Sequence, residues 1–426
     1  MKHLPRGLWV LLAANVVIAL GYGLIAPALP IFASTFGVSV TAVSAVISAF
    51  AVMRLAFAPA TGRLVTVLGE RRIYLTGLII VAASTLACAF AASYWQLLIF
   101  RAAGGIGSTM FTVSAMALLI RLAPPQIRGR ASGYFSAGFL IGNLTGPLIG
   151  AALIGGGLKL PFVVYAIALV IAAIGVAVLM PPVPAHAGST PGAPAVVEAV
   201  TFATACRDSA YRAILASNFA QGWASMGVRI ALVPLFITQG LGQSDAWAGV
   251  ILAFYAGGNM VAILIAGRLS DRYGRRPVLL PGLAIAAAST LTLGYSPNLA
   301  VAVALTTIAG LGSGLFAPTH QAALGDVLGT SQRGGSALAA YGMASDLGAV
   351  VGPLAAGAVA TVFGYGPAFL LTGLVVVVAL VLWLPARETN PDGHPTAPDD
   401  AVPIDAPEQL NPAGRAPGRR VWSIRR

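Results

Sequence analysis

Long apolar runs separated by short polar connectors dominate the chain. An α-helix rises 1.5 Å per residue, and a bilayer's hydrocarbon core is about 30 Å thick. On that measure twelve runs are long enough to span: residues 8–30, 41–61, 73–92, 96–120, 130–153, 161–181, 213–237, 246–266, 277–295, 299–325, 335–360 and 366–385. Between the sixth and seventh runs the segment opens on PVPAHAGSTPGAPA, the composition of a flexible or extended linker. Some helix is expected near its end, over 196–210. After Arg387 the chain turns rich in Pro, Asp and Gly and is expected to be disordered. The predicted organisation is an all-α integral membrane protein with a six-helix bundle over 1–181, a linker over 182–212, a second six-helix bundle over 213–386 and a tail over 387–426.

Composition supports a membrane protein. The chain is 58% hydrophobic and 9% charged, where a soluble domain carries about 25% charged residues. The net charge of +12 could suggest nucleic acid, but its placement argues otherwise. Arg63, Arg71, Arg72, Arg121, Arg128, Arg130, Arg207, Arg212, Arg268, Arg272, Arg275, Arg276, Arg333 and Arg387 fall near alternate ends of the runs, as do Lys2 and Arg6. The connectors on the other side carry one cation, Lys159. That asymmetry is the positive-inside pattern. It predicts both termini in the cytoplasm, a lipid bilayer as the basic face's partner, and no nucleic acid. The first run is too long for the core of a cleaved signal peptide, so it is expected to stay as the first span. Cys88 lies in an apolar run and Cys206 in the central connector, expected to be cytoplasmic, so no disulfide is expected. Arginine in place of lysine, with abundant Ala and Gly, points to a bacterial inner membrane.

The chain also repeats itself. GRLVTVLGERR (62–72) returns as GRLSDRYGRRP (267–277), and GIGSTMF (105–111) as GLGSGLF (310–316), both 205 residues on. PIF (30–32) returns as PLF (234–236), and GNLTGPLIG (142–150) as GAVVGPLAA (348–356). Agreement at nearly one offset predicts two similar six-helix halves, a common build for secondary transporters.

These motifs resemble the major facilitator superfamily over residues 5–385. The second connector is similar to its signature G-x-L-x-D-R-x-G-R-R at Gly267, Leu269, Asp271, Arg272, Gly274, Arg275 and Arg276. The first keeps Gly62, Leu64, Gly69 and Arg71, with Arg72 one place beyond, but has Thr66, Val67 and Glu70 where the signature has an acid and two cations. LGYGLIAPALP (20–30) resembles the first-helix motif of the twelve-helix drug/proton antiporters at Gly21, Pro27 and Pro30. Arg101, with Gly104 and Gly107, resembles their fourth-helix motif, and Gly133, Gly142, Gly146, Pro147 and Gly150 resemble their fifth-helix antiporter signature. The resemblance implies alternating access, a monomer, a role for Arg101 in proton coupling and a conformational latch at the connectors. The latch is expected to be weaker, or built differently, at Thr66.

A glycine every fourth residue smooths one face of a helix, so a neighbour can approach closely. In the fifth run this predicts either plain helix packing or, the favoured reading, a sliding interface between the halves. Charges inside a membrane cost about 2.5–3.5 kcal/mol or more and usually serve function. Arg54, Arg101, Arg229 and Asp346 stand well inside their runs, with His320 a fifth titratable group. Asp326 is expected at the basic end of its helix and Asp245 in a connector on the other side. Glu70 is the only acid before the linker, so Arg54 and Arg101 need acceptors from elsewhere. Asp346 is the first choice for proton carrier, a structural ion pair being the alternative. A pair with Arg54 in one conformation would be attracted by about 4 kcal/mol at 4 Å, much of it offset by desolvation. Arg229 could snorkel outward or meet substrate. Asn15, Tyr22, Asn143, Gln221, Trp223, Asn259 and Tyr341 are pocket candidates, with Asn218 beside them.

The reading that follows is a proton-coupled exporter of small hydrophobic or amphipathic compounds, such as antibiotics. The alternatives are a narrow-substrate transporter of a sugar, metabolite or organic anion, and a non-transporting sensor. No phosphate-binding loop, metal-ligand cluster or placed nucleophile set suggests an enzyme, a cofactor, a metal or ATP as energy source.

Overall fold

A computed structural model describes residues 5–123, 128–180, 202–328 and 335–390. Residues 182–201 of the expected linker (182–212) and the expected tail (387–426) beyond residue 390 lie outside the described residues. Among the described residues, twelve helices are long and apolar enough to cross a membrane, and the chain is a multi-pass membrane protein. They are α1 (Arg6–Ser34), α2 (Val40–Leu68), α3 (Glu70–Ala89), α4 (Tyr94–Leu122), α5 (Arg128–Ile154), α6 (Leu160–Leu179), α7 (Ser209–Gly240), α8 (Asp245–Tyr273), α9 (Arg275–Leu293), α10 (Leu299–Leu328), α11 (Gly335–Phe363) and α12 (Tyr365–Trp383). A one-turn helix, Phe202–Ala205, precedes α7.

Polar residues set several helix starts. Ser39 accepts from the amide of Ala42 at 3.3 Å, Ser93 from Gln96 at 3.4 Å, and Asp208 from Ala210 at 2.9 Å. Each satisfies one of the amides that a first turn leaves unpaired. Asp208 thereby starts α7 at Ser209, four residues before the apolar run begins. Asp245 sits in the first turn of α8 rather than in a connector.

The signature connectors are shorter than the sequence suggests. Helix α2 runs on through Gly62 to Leu68, and α8 through Gly267 to Tyr273. The chain then turns on a single glycine, Gly69 (φ 86°, ψ 149°) or Gly274 (φ 96°, ψ 165°). That backbone region is essentially closed to residues with a Cβ. Most of the signature is therefore helical, and its basic residues lie on helix ends.

The repeat is realised in packing. In the first six helices α1 packs on α5, α4 on α2 and α3, and α6 on α3. In the last six α7 packs on α11, α10 on α8 and α9, and α12 on α9. The two sets meet through α2 with α11, α5 with α8, and α1 with α7. Large apolar side chains such as Ile79, Ile171, Val178, Val261 and Val378 remain exposed on the outer faces, as a lipid-facing belt requires. Helix α7 is the most enclosed: 78% of its spanning window is buried, against 61% or less elsewhere. It is also irregular, with wide π-turns over Gly222–Val228 and Phe236–Gly240. Gly222 there backs onto Ser345 and Gly227 onto Pro353 of α11.

Candidate functional site

A cavity of about 320 Å³ lies between the first six helices and parts of α7 and α11. Arg54 of α2, Arg101 of α4 and Asp346 of α11 all line it. Three charges placed far apart in the sequence thus share one chamber. The rest of the wall is mainly aromatic and aliphatic, with Tyr22, Phe50, Phe111, Phe135, Phe139 and Tyr165 prominent. Among the described residues Asp346 makes no ion pair within 4 Å and no hydrogen bond. Arg54 and Asp346 thus line one cavity without an ion pair between them.

Polar contacts between α2 and α11 lie toward one end only. Thr41 and Thr361 hydroxyls stand 2.9 Å apart, and the Ser48 hydroxyl donates to the Val350 carbonyl at 2.8 Å. Gly249 of α8 meets Pro147 and Ala151 of α5 at the same end. This end is opposite the basic connectors. On the basic side, where Arg54 and Asp346 sit, no such bond joins α2 to α11 among the described residues.

Arg101 lies over the Phe50 ring, 4.0 Å from its centroid. In the second set Arg229 lies over Tyr255, also at 4.0 Å. Tyr255 is Phe50 displaced by 205 residues. The cations, however, come from different helices, α4 in one case and α7 in the other. The residue 205 after Arg101 is Thr306, which faces Arg229 across a smaller cavity of about 40 Å³. The guanidinium of Arg229 also donates to the Ser225 carbonyl at 3.0 Å, and Ser225 bonds Tyr255 at 2.8 Å. Arg229 is thus held inward and does not snorkel to an interface.

The connectors carry ion pairs related by the repeat but of opposite polarity. Arg121 donates to Glu70 at 2.7 Å. At the positions 205 residues on, Arg275 donates to Asp326 at 2.9 Å. Arg275 also bonds Asp271, four residues earlier on the other side of the turn, at 2.5 Å. An acid at position 66 would instead stand four residues from Glu70, and like charges at that spacing repel. Thr66 removes the conflict and caps its own turn, donating to the Arg63 carbonyl at 2.7 Å. Arg71 donates to the Ala177 carbonyl of α6 at 2.6 Å, and its counterpart Arg276 to the Leu384 carbonyl just past α12. Arg72 is exposed, and Arg272 lies 5.4 Å from the Tyr273 ring. Glu388, not anticipated from sequence, accepts the first amides of α9, from Arg275 at 2.8 Å and Arg276 at 2.9 Å. Arg387 pairs with Asp208 at 2.5 Å and holds that carboxyl below the usual carboxylate range.

The glycine strip of α5 does not form the sliding interface expected between the halves. Gly142, Gly146 and Gly150 face Ala19, Leu20, Gly23 and Leu24 of α1, within the first six helices. A Cβ on Gly146 would sit 2.6 Å from the Leu20 carbonyl and 2.8 Å from the Gly23 Cα. Pro147 lies against Gly23, and Gly133 stands in open space. Period reveals a smooth face but not which neighbour meets it. Gly348 and Gly352 repeat the arrangement, with α11 against Phe219 and Trp223 of α7. On α1, Gly21 makes room for the Tyr165 ring, and Pro27 and Pro30 are buried inside the helix.

Of the expected pocket residues, Asn15 and Tyr22 line the large cavity, Asn15 also donating to the Phe135 carbonyl at 2.8 Å. The others do not. Asn143 bonds its own helix at Phe139, Gln221 accepts from Ser313, Trp223 donates to Thr372 and Asn259 to the Gly310 carbonyl. Asn218 donates to the Tyr341 carbonyl. Asn143 is thus satisfied within its own helix, and Gln221, Trp223, Asn259 and Asn218 by neighbouring helices, which gives them a place in packing. Tyr341 packs against His320, ring centroids 5.8 Å apart. His320 is buried away from the large cavity, with Nδ1 unpartnered. The ring wall of Phe50, Phe111, Phe135 and Tyr165 escaped the sequence reading because single aromatics in apolar runs carry no distinguishing period.

A family model described as "Major Facilitator Superfamily" matches residues 11–228 and 214–425. The "Chloramphenicol resistance protein" of Streptomyces lividans is 28% identical over 417 residues, 95% of this chain and 100% of that one. The "Multidrug resistance protein B homolog" of Mycobacterium tuberculosis is 26% identical over 314 residues, 62% of this chain and 58% of that one. Staphylococcus aureus "Quinolone resistance protein NorA" is 28% identical over 146 residues, 34% of this chain and 38% of that one. Among solved structures, a bacterial homolog of the human lysosomal transporter Spinster, inward-facing and unoccupied, superposes with a TM-score of 0.73 at 18% identity, covering 88% of this chain and 95% of that one. A D-xylose–proton symporter does so with a TM-score of 0.70 at 17% identity, covering 91% and 99%. These last two speak to the fold alone.

Proposed function

The chain belongs to the Major Facilitator Superfamily, and on that footing we propose that it is a drug efflux transporter, exporting small amphipathic compounds in exchange for protons. Three kinds of observation support the reading. The relative matched over its whole length is named for chloramphenicol resistance, and others are named for multidrug or quinolone resistance. The antiporter-like strip Gly142, Gly146 and Gly150 packs α5 tightly on α1, shaping the wall from which Tyr22, Phe135 and Phe139 project. Above all, Asp346 is a carboxylate inside the chamber with no partner in contact.

The mechanism follows from the chamber's electrostatics. An ionised Asp346 is attracted to Arg54 across the gap between the two bundles, 1–181 and 213–386. Protonation removes that attraction, and deprotonation restores it. Substrate and proton thereby compete for the same electrostatic frame. Arg101, stacked on Phe50, supplies a second fixed positive charge in the chamber. Closure on the side opposite the basic connectors, through Thr41–Thr361 and Ser48–Val350, supports an inward-facing reading of this conformation. The positive-inside pattern puts both termini in the cytoplasm of a bacterial inner membrane, and the protein acts as a monomer. His320, sealed from the chamber, serves packing rather than proton transfer.

Uptake of labelled chloramphenicol by everted vesicles carrying the protein tests the reading. Energised vesicles should accumulate the drug, and a protonophore should abolish the accumulation. Equal uptake with and without the gradient would refute proton-driven export.

A further inference from the structure

The charges in the chamber are lopsided. Arg54 and Arg101 provide two guanidinium groups, and Asp346 provides the one carboxylate. Among the described residues neither guanidinium makes a hydrogen bond or an ion pair, and the Nε of each is buried without a partner. The Tyr74 hydroxyl, on the same wall, is likewise buried and unpartnered. Phe50 covers one face of the Arg101 guanidinium and leaves its in-plane N–H edge to be satisfied. Leaving buried donors unmet is costly, most of all when they are charged. The flanking rings would take a flat apolar body.

Building on the export reading, we propose that the chamber selects substrates carrying a carboxylate on an aromatic body, bound in-plane by Arg101 and steered by Arg54, and that it disfavours permanent organic cations. A carboxylate matches the guanidinium fork in a bidentate fashion. A cation would meet a net positive wall in either state of Asp346: two positive charges against one negative, or two unopposed once the acid is protonated. Arg101 is then a specificity-determining residue of the site in its own right.

Titration calorimetry on the full-length protein in detergent, with nalidixic acid, its ethyl ester and tetraphenylphosphonium as probes, tests this without any variant. The acid should bind at least roughly tenfold more tightly than the ester, the size expected for a charged hydrogen bond, and more tightly than tetraphenylphosphonium by a similar factor. In Arg101→Met the acid–ester ratio should fall toward one, while Arg101→Lys keeps part of it. Arg54→Gln should lower the ratio less, and a melting curve on each variant establishes folding. Equal affinity for acid and ester, or tetraphenylphosphonium binding as tightly as the acid, overturns the proposal. Vesicle uptake separates it from the export reading. Tetraphenylphosphonium pumped as fast as the acid leaves export standing and overturns the carboxylate preference. The expected affinity ratio with no gradient-driven uptake of any probe leaves the site's chemistry standing and overturns export.

Discussion

Glu70 and Arg121 form between α3 and α4, at 2.7 Å, the bridge that Arg275 and Asp326 form between α9 and α10 at 2.9 Å, with the charges exchanged. The pairs occupy equivalent positions 205 residues apart. The signature's departures in the first connector are therefore correlated. Once Glu70 replaces an arginine, its partner becomes Arg121, and the acid four residues earlier must go.

Charge exchange should be testable as a unit. Glu70→Arg sets two arginines against each other at a bridge whose carboxylate side chain is only 12% exposed. It should lower the melting temperature and slow transport several-fold. Adding Arg121→Asp should recover most of both, with a coupling of about 0.5–3 kcal/mol in a double-mutant cycle. Thr66→Asp should destabilise the wild type slightly, by about 0.2–0.5 kcal/mol. In the doubly exchanged background it should stabilise instead. The same sign in both backgrounds would break the explanation offered for Thr66.

The α1–α5 seam predicts a contrast between glycines. Gly146→Ala forces a Cβ against the Leu20 carbonyl and the Gly23 backbone, and overpacking of this kind costs about 1–3 kcal/mol. Gly133→Ala meets nothing within 4 Å and should leave stability and transport near wild type. Thermal melts of the two variants decide the matter; similar losses in both would mean that helix flexibility, not close approach, is what these glycines supply.

Acid stability should depend on the segment after α12. Arg387, by its hydrogen bond, depresses the Asp208 carboxyl below the ordinary carboxylate range. A carboxyl depressed by folding contributes stability that is present above the unfolded pKa and is lost as pH falls through the folded one. Wild type should therefore lose melting temperature below about pH 4 more steeply than Asp208→Asn, which keeps a capping side chain and drops the charge. Parallel curves would show that the pair adds nothing to folding.

Arg229 should matter to the fold of the last six helices more than to transport selectivity. Arg229→Met removes the stack on Tyr255 and the bond to the Ser225 carbonyl. It should lower the melting temperature while leaving the ratio of uptake rates among substrates unchanged. A changed ratio would place Arg229 in contact with substrate.

Much of this architecture is legible in the chain. Span length is dictated by bilayer thickness, so all twelve helices could be read from hydropathy, and the offset of 205 residues announced the pairing of helices. The sequence could also nominate Arg54, Arg101 and Asp346, because charge is scarce in an apolar run. What it could not supply was direction. Gly142, Gly146 and Gly150 mark a smooth face, yet α1 rather than the other half meets it. Asn143 and Gln221 have the polarity of pocket groups, but one bonds within its own helix and the other accepts from Ser313 of α10. The π-turns of α7 leave no local signature, and the stacking of Arg101 on Phe50 and of Arg229 on Tyr255 is tertiary. Glu388, capping α9 from beyond the last span, joins positions 112–113 residues distant.

Drug-induced proton efflux tests Asp346 as the proton carrier. Everted vesicles are acidified inside by respiration, and a pH-sensitive dye follows proton efflux when chloramphenicol is added. Wild type should collapse the gradient on drug addition. Asp346→Asn should not, although its drug binding should persist. Drug-induced collapse of equal size in Asp346→Asn would rule Asp346 out and place the proton on another group.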